Sequence, residues 1–223
     1  MRFDPAYMWE ALPELVRHLP MTLLLAVVSM CFAVLIGLLL ALLRFGRVPV
    51  LNQFAVGYIS FFRGIPTLVQ LFLIYFGLPT VIPAASAMDA VTAAILGLSL
   101  KQAAYLAEIF RAALASVDRG QYEAGLSTGL TPFQIYRRYI LPQASYNALP
   151  ATGNIFIGLI KETSVVFTLG ITELFASAQM YAANNFRYFE TYLVVGLVYW
   201  AVVVIVGFLL SRLEKRLGLP YQR

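Results

Sequence analysis

Three side chains with chemical potential share one helical face of an otherwise apolar stretch. Lys101, Tyr105 and Glu108 are four and three residues apart, so a helix would place them side by side. A charged group among apolar neighbours is costly unless it is paired or reached by water. This face therefore either lines a polar path or forms a structural ion pair between helices, with Arg63 or Lys161 as the partner of Glu108.

A second polar cluster, Lys161-Glu162-Thr163-Ser164, ends another apolar stretch. The Glu162 carboxylate can accept from an ammonium group, and the two hydroxyls can donate to a carboxylate. A zwitterionic ligand would match this set of groups. The alternative is a solvated helix end that binds nothing.

Arg63 lies just before a predicted helix break at Gly64 and Pro66. Proline removes a backbone donor and kinks a helix, which releases carbonyl groups that an arginine can satisfy. The same guanidinium could instead bind a carboxylate or extend to a polar interface. We expect the structural role.

The polar loop 116–142 carries helix-end signals. A short helix over 121–128 should stop at Gly129, because glycine adopts the left-handed conformation of a helix end at little cost. The loop should therefore turn sharply after this helix.

A second helix of the loop should begin at Thr131. Thr131 as N-cap, Pro132 at the first position and Gln134 at the third form the capping-box arrangement. Pro142 then either ends this helix or begins the next apolar stretch. Two short helices joined by a sharp turn are the prediction for the loop.

The composition places these groups in an all-α integral membrane protein. Of 223 residues, 61% are hydrophobic and 12% are charged, whereas a soluble domain has about 25% charged residues. About 20 apolar residues cross the hydrocarbon core. The sequence predicts one membrane domain, 1–223, with five spans at 19–43, 54–78 (broken near its middle), 90–115, 143–161 and 190–211.

The segments outside the spans differ in character. Residues 1–17 are predicted to form an amphipathic lead-in, and 78–87 a short loop. Residues 162–189 are predicted to be partly inserted and buried by protein, since irregular backbone is tolerated at membrane depth only when shielded from lipid. The single Cys31 is predicted to be a packed, inert thiol.

Lysine and arginine near the span ends indicate the orientation, because they favour the cytoplasmic side. The side with the loop 116–142 and the C-terminus holds Arg44, Arg47, Arg119, Arg137, Arg138, Arg212, Lys215, Arg216 and Arg223. The opposite side holds only Arg2, Arg17 and Arg187. We expect the N-terminus outside and the C-terminus in the cytoplasm.

The loop 116–142 resembles the cytoplasmic loop of ABC-importer permeases, which reads Glu-Ala-Ala, three residues, Gly, nine residues, Ile-x-Leu-Pro. The matching residues are Glu123, Ala124, Gly129, Leu141 and Pro142. The chain departs from this pattern at Gly125, where alanine is usual, and at Tyr139, where isoleucine is usual. Gly125 lowers the helix propensity by up to ~1 kcal/mol.

Other segments resemble the polar amino-acid permeases of that family, the group for His, Glu, Gln, Arg and cystine. They are 62–67, 75–79, Ala103-Ala104-Tyr105 with Glu108, 141–144 and 161–164. The substrate stays open between a cationic amino acid, glutamine or glutamate, and cystine.

The resemblance implies the transmembrane domain of a type I ABC importer in a bacterial inner membrane. The loop would be the coupling helix that docks on the ATPase, through Glu123, Ala124, Gly125, Gly129, Leu141 and Pro142. The substrate path would draw on Arg63, Lys101, Tyr105, Glu108, Glu162, Thr163 and Ser164. The implied partners are a cytoplasmic ATPase dimer, a second permease (identical or homologous) and an extracytoplasmic amino-acid-binding protein.

The sequence contains no phosphate-binding Gly-x-x-x-x-Gly-Lys-Ser/Thr run, so ATP and Mg²⁺ are expected on the partner ATPase and no cofactor in this chain. Neither a metal-ligand cluster nor a convincing catalytic set is present, and the basic residues follow span ends rather than a nucleic-acid-binding face.

Three alternatives stay open at the level of sequence: an ion-coupled secondary transporter, an intramembrane enzyme and a membrane scaffold. The secondary transporter would explain Lys101 and Glu108 but not the spacing of the loop. Such transporters are also often built from two similar halves, and this chain has no evident repeat.

Overall fold

The computed structural model describes residues 3–45 and 48–218, and the regular secondary structure within these ranges is helical. The α-helices are α1 (Pro5–Val16), α2 (Leu19–Phe45), α3 (Pro49–Gly64), α4 (Thr67–Phe72), α5 (Leu78–Val81), α6 (Ala90–Ala115), α7 (Arg119–Ser127), α8 (Pro132–Ile135), α9 (Leu141–Glu162), α10 (Leu174–Asn185) and α11 (Tyr188–Gly218). Wider π-helical turns occupy Leu73–Gly77 and Tyr136–Ile140, and tighter 3₁₀ turns occupy Pro83–Ala87 and Thr163–Leu169.

Three helices, α2, α6 and α11, are long and apolar enough to cross a membrane. Two bent helix pairs raise the number to five if each pair is one span: Pro49–Gly64 with Thr67–Val81, and Pro132–Leu169 with Leu174–Asn185. The five predicted spans match this upper number. The predicted bounds 90–115 coincide with α6, whereas α11 extends beyond the predicted 190–211 at both ends.

The break in the second span is much sharper than a kink. The two helices around Gly64 and Pro66 meet at 111°. Ile65 has extended backbone (φ −101°, ψ 145°), which is the conformation favoured before proline. The break therefore lies where the sequence predicts it, and the bend of 111° is a feature that the sequence did not predict.

The segment 78–87 forms two short helical turns, separated by Ile82 in extended backbone, where a loop is predicted. Pro79 lies in the first turn of α5, where the missing N–H costs no intrahelical bond, and Pro83 begins the 3₁₀ turn. The prolines start helical turns here instead of excluding them.

Helix α6 forms the centre of the protein. It packs against α2, α3, α4 and α9 along a surface of small residues that includes Ala93, Gly97 and Ala104. A Cβ added to Gly37 of α2 would lie 2.9 Å from the Cβ of Leu106, so these two helices approach closely. Small residues permit such close packing between membrane helices.

The outer faces of the long helices are apolar and exposed, as expected of surfaces in contact with lipid. Only 17% of the most apolar window of α11 is buried, against 56% for α6. Cys31 is exposed on α2, so the prediction of a packed thiol is wrong. The reason is that the buried stripe of α2 runs through Ser29 and Ala33, and Cys31 falls outside it.

The segment 162–189 is mostly buried or half-buried from 163 to 182, as predicted, whereas 183–189 is mostly exposed. It contains a 3₁₀ turn, Gly170 with a left-handed backbone (φ +82°) and then α10. Glu173 caps α10 and is fully buried, with its carboxylate accepting hydrogen bonds from Thr22 (3.2 Å) and Tyr199 (3.0 Å). The amphipathic lead-in is also confirmed as a helix, α1, which packs on α10 and α11.

Candidate functional site

A polar cavity of about 500 Å³ opens between α6 and α9. Its polar lining consists of Lys101, Gln102, Tyr105, Asn154, Lys161 and Glu162, with Ile155 and Gly158 completing the wall. The cavity is open to the surface and collects charged, amide and phenol groups from two helices of an otherwise apolar protein.

The Glu162 carboxylate is the centre of a network that joins three helices. Lys101 of α6 lies 3.6 Å from one carboxylate oxygen, to which the Thr67 hydroxyl donates a hydrogen bond. Gln102 donates to the other oxygen, and Lys101 also donates to the Thr67 hydroxyl. Thr67 reaches this network because it is the first residue of α4, directly after the 111° turn.

Lys161 lies beside this network and is exposed towards the cavity. Within residues 3–45 and 48–218 it has no ion-pair partner, in contrast to Lys101. The two lysines of the cavity therefore face a single carboxylate, that of Glu162.

Arg63 lies outside the cavity lining and over the ring of Tyr105, with its guanidinium carbon 5.2 Å from the ring centroid. This geometry is a cation–π contact. It joins Arg63 of α3 to α6, which is a different contact from the carbonyl hydrogen bonds predicted at the helix break.

Glu108 is paired, but not with Arg63 or Lys161. Its carboxylate accepts from Arg44 at the end of α2 and from Arg111, whose Nη2 is 3.0 Å away. Because α2 and α6 run side by side, the end of α2 brings Arg44 next to Glu108. Glu108 therefore does not line the cavity, although it shares a helix with Lys101 and Tyr105.

Thr163 and Ser164 do not line the cavity either. Their hydroxyls donate to the carbonyls of Ile160 and Lys161, each at 2.8 Å, within the turn that follows α9. Thr163 is fully buried. Local bonding of this kind is common for these side chains and leaves them no free donor for a ligand.

Sequence reasoning missed Thr67, Gln102 and Asn154 as members of the site. Asn154 is one of the few polar residues in the charge-free part of α9, and it precedes Gly158 and Glu162 by one and two helical turns. That period would have identified it as a residue on the Glu162 face. Gln102 and Thr67 had no comparable signal, because their roles depend on the packing of α4, α6 and α9.

The loop after α6 forms a capped helix and a tight turn. Asp118 caps α7 by accepting from the N–H of Gly120 at 2.6 Å, and α7 ends at Ser127. Gly129 has a left-handed backbone (φ +79°), as predicted. The predicted helix over 121–128 is therefore confirmed, with its start two residues earlier.

The capping box at Thr131 is also confirmed. Its hydroxyl accepts from the N–H of Gln134 at 3.4 Å, and the Gln134 side chain accepts from the N–H of Thr131 at 2.9 Å. The helix that starts here does not stay short, however. It continues through a π-helical turn into α9, with Pro142 in the first turn of α9, so the expectation of two short helices is wrong for the second.

Gly125 accounts for the close packing within the loop. It is buried, and a Cβ at this position would lie 2.7 Å from Cγ1 of Ile135, which is itself fully buried. The outer side of α7 and the start of α8 stay exposed, with Glu123, Ala124, Leu126 and Phe133 on the surface. Leu141 is exposed as well.

Comparison with known proteins gives a consistent assignment. The family model of the binding-protein-dependent transport system inner membrane component matches residues 33–219. The chain is 59% identical over 219 residues to the probable amino-acid permease protein YxeN of Bacillus subtilis (strain 168), with 98% of each chain covered. It is 48% identical to the probable amino-acid ABC transporter permease protein PatM of Vibrio harveyi over the full length of both.

A solved structure agrees with these relatives. The crystal structure of an amino acid ABC transporter with histidines contains a chain that is 37% identical and superimposes with a TM-score of 0.88, covering 97% of this chain and 100% of that one. The chain described here belongs to the family of binding-protein-dependent transport system inner membrane components and is a permease subunit of an amino-acid ABC transporter.

Proposed function

We propose that this permease moves an amino acid through the bacterial inner membrane by alternating access. The cavity at Glu162 is its proposed substrate site, and ATP hydrolysis by a separate ATPase supplies the energy. The observation that carries the proposal is the continuity between loop and cavity. A helical path runs from Pro132, next to α7, to Glu162 at the cavity. A displacement of α7 by a docked protein would therefore act directly on the helix that carries the cavity wall.

The exposed face of α7 is the proposed dock, that is, the surface that binds the ATPase. It carries Glu123, Ala124 and Leu126. On the opposite side of α7, Gly125 packs closely against Ile135. Because α7 packs tightly against its neighbour, a displacement of α7 is transmitted to that neighbour and is not absorbed by movement between them. Gly129 forms the turn that follows α7. Leu141 and Pro142 form the first turn of α9. We propose that these three residues keep α7 in position relative to α9.

The family description supports the proposed partners. They are an extracytoplasmic binding protein, here one for amino acids, and an ATPase dimer that would hold ATP and Mg²⁺. A second permease, identical or homologous, would complete the assembly. We place the loop and the C-terminus in the cytoplasm and the N-terminus outside, on the distribution of lysine and arginine; Arg2, Arg47 and Arg223 of that count lie outside the described residues.

Copurification tests the proposed dock. The tagged chain is isolated from its host in mild detergent, and the bound proteins are identified by mass spectrometry. We expect a P-loop ATPase with the native chain and its loss in the Glu123→Arg, Gly129→Asp variant. Glu14→Arg, the same charge reversal on an exposed site of α1, is the matched control and should retain the ATPase. Absence of an ATPase from the folded, monodisperse native chain would contradict the proposal.

A further inference from the structure

We infer that the cavity between α6 and α9 selects an amino acid with an anionic side chain, and that Lys161 is the residue that selects it. The inference rests on the proposed function, because it takes the cavity as the substrate site. It goes further in choosing among cationic, neutral and anionic substrates.

The first observation is that Glu162 is already engaged. Both oxygens of its carboxylate accept hydrogen bonds, one from Thr67 and one from Gln102, and Lys101 lies 3.6 Å away. An anion held by three partners has its charge and its acceptor sites largely satisfied. Glu162 is therefore a poor counter-ion for an additional positive group on a ligand.

The second observation is that Lys161 has no such partner. It is exposed, lines the same cavity and forms no ion pair with any described residue. Two lysines and one carboxylate line the cavity, so its lining carries a net charge of +1.

The surroundings add positive charge rather than removing it. Arg63 lies over the ring of Tyr105, with its guanidinium carbon 5.2 Å from the ring centroid. The neighbouring carboxylate on α6, Glu108, is bound by Arg44 and Arg111 and lies outside the cavity lining. Among the described residues, no second carboxylate lines the cavity to balance Lys161.

The ligand must complement this charge. A cationic amino acid would raise the total to +2, a zwitterion would leave it at +1, and an amino acid with a second carboxylate would make it neutral. Opposite charges attract more strongly, and like charges repel more strongly, in a partly buried site than in water. The ammonium ion of Lys161 can take the side-chain carboxylate, while the exposed amide of Asn154 can accept from the ligand ammonium group.

Equilibrium binding to the complete permease–ATPase complex in nanodiscs tests this inference, with the binding protein absent so that its own selectivity does not contribute. The probes are radiolabelled L-glutamate, L-glutamine and L-arginine. Glutamate and glutamine have nearly the same shape and differ in charge. We expect glutamate to bind about tenfold more tightly than glutamine, and arginine to bind most weakly.

Variants assign the effect to Lys161. Lys161→Gln should remove the preference for glutamate over glutamine, and Lys161→Glu should reverse the order so that arginine binds best. Lys215→Gln, on the exposed end of α11 and away from the cavity, should leave the order unchanged. Both positions are exposed, so folding should be retained in all three variants.

The outcomes separate this inference from the proposed function. If amino acids bind but arginine equals or exceeds glutamate, or if Lys161→Gln keeps the full preference, charge selection by Lys161 is wrong and the cavity stays the substrate site. If neither the three probes nor L-cystine binds to the folded complex, the cavity is not that site and both proposals fail.

Discussion

A Cβ atom added to Gly125 of α7 would lie 2.7 Å from Cγ1 of Ile135 and 2.9 Å from its Cδ1. Neither atom can move away freely, because Ile135 is fully buried. Related permeases usually have alanine at this position. The glycine of this chain lets α7 pack directly against the start of the helix that leads to the cavity.

Gly125→Ala should loosen this contact. The substitution gains up to ~1 kcal/mol in helix propensity, but overpacking a filled site costs ~1–3 kcal/mol, so the net effect should be destabilising. We expect a lower unfolding temperature in detergent and a weaker stimulation of the ATPase by the binding protein. The Gly125→Ala, Ile135→Ala double variant should be more stable than the sum of the two single changes predicts. Additive effects would contradict the packing account.

Glu108 and Glu162 should respond differently to neutralisation. Glu108→Gln removes an anion shared by Arg44 and Arg111, whose partly exposed side chains limit the expected loss of stability to ~1–3 kcal/mol. Substrate affinity should stay close to the native value, because Glu108 does not line the cavity. Glu162→Gln should instead change affinity and selectivity.

Paired measurements of unfolding and ligand binding on the two variants check this prediction. Arg44→Gln should give a loss of stability similar to that of Glu108→Gln, and the double variant should lose less than the sum. A large fall in affinity for Glu108→Gln at native stability would show that Glu108 belongs to the substrate path after all.

Much of the architecture could be predicted because membrane spans obey local rules. A span must be long and apolar, and both properties are visible in stretches such as 90–115. The bilayer then requires the backbone of such a stretch to form its hydrogen bonds internally, which favours a helix. Helix caps also depend only on residues close together in the sequence. The left-handed conformation of Gly129 and the capping box at Thr131 could therefore be predicted correctly.

The pairing of the polar side chains could not be predicted in the same way. Glu108 has Arg63 and Lys161 as equally plausible partners in the sequence, and its real partner Arg44 is set by the crossing of α2 and α6. The link from Thr67 to Glu162 needs the 111° turn, whose size the residues Gly64 and Pro66 do not specify. Partner choice is a property of tertiary packing.

Glu173 should be critical for holding α10 in place. Its buried carboxylate accepts from the backbone N–H groups of Phe175 and Ala176 (2.9 and 2.8 Å) and from Thr22 and Tyr199 on two other helices. Glu173→Ala leaves these four donors without their acceptor, at ~1–3 kcal/mol for each donor that stays unsatisfied, so the loss of stability should exceed that from any single bond. Denaturant unfolding in detergent measures the change.

Tyr199→Phe is the matched control, because it removes one donor to the carboxylate and should cost ~1.5–3 kcal/mol. Thr22→Val removes two hydrogen bonds, since the Thr22 hydroxyl also accepts from the N–H of Leu174 at 3.1 Å, so it should cost more. A loss for Glu173→Ala no larger than that for Tyr199→Phe would show that the carboxylate does not join the three helices.

Asp89 gives a prediction about pH at the start of α6. Hydrogen bonds from the side chain and backbone N–H of Thr92 hold the pKa of the Asp89 carboxyl below its usual range. Because the folded-state pKa is lowered, the stabilising effect is present above the unfolded pKa of about 3.9 and is lost as the pH falls through the folded value. Amide hydrogen exchange in the first turn of α6 should therefore accelerate, relative to intrinsic rates, below this range.

Asp89→Asn separates titration from capping. Asparagine also caps helices well but does not titrate there, so exchange in this turn should lose its acid dependence while staying slow near neutral pH. The same acid dependence in native protein and variant would assign the effect to another group.

ATP-driven uptake is the most direct test of the whole account. The chain is reconstituted in proteoliposomes with its ATPase and its amino-acid-binding protein, with ATP enclosed on the side of the loop 116–142. We predict uptake of radiolabelled amino acid only when ATP, the ATPase and an intact Glu123 are all present. Uptake driven by a proton or sodium gradient in vesicles lacking the ATPase would contradict the account, since it would make the chain an ion-coupled transporter.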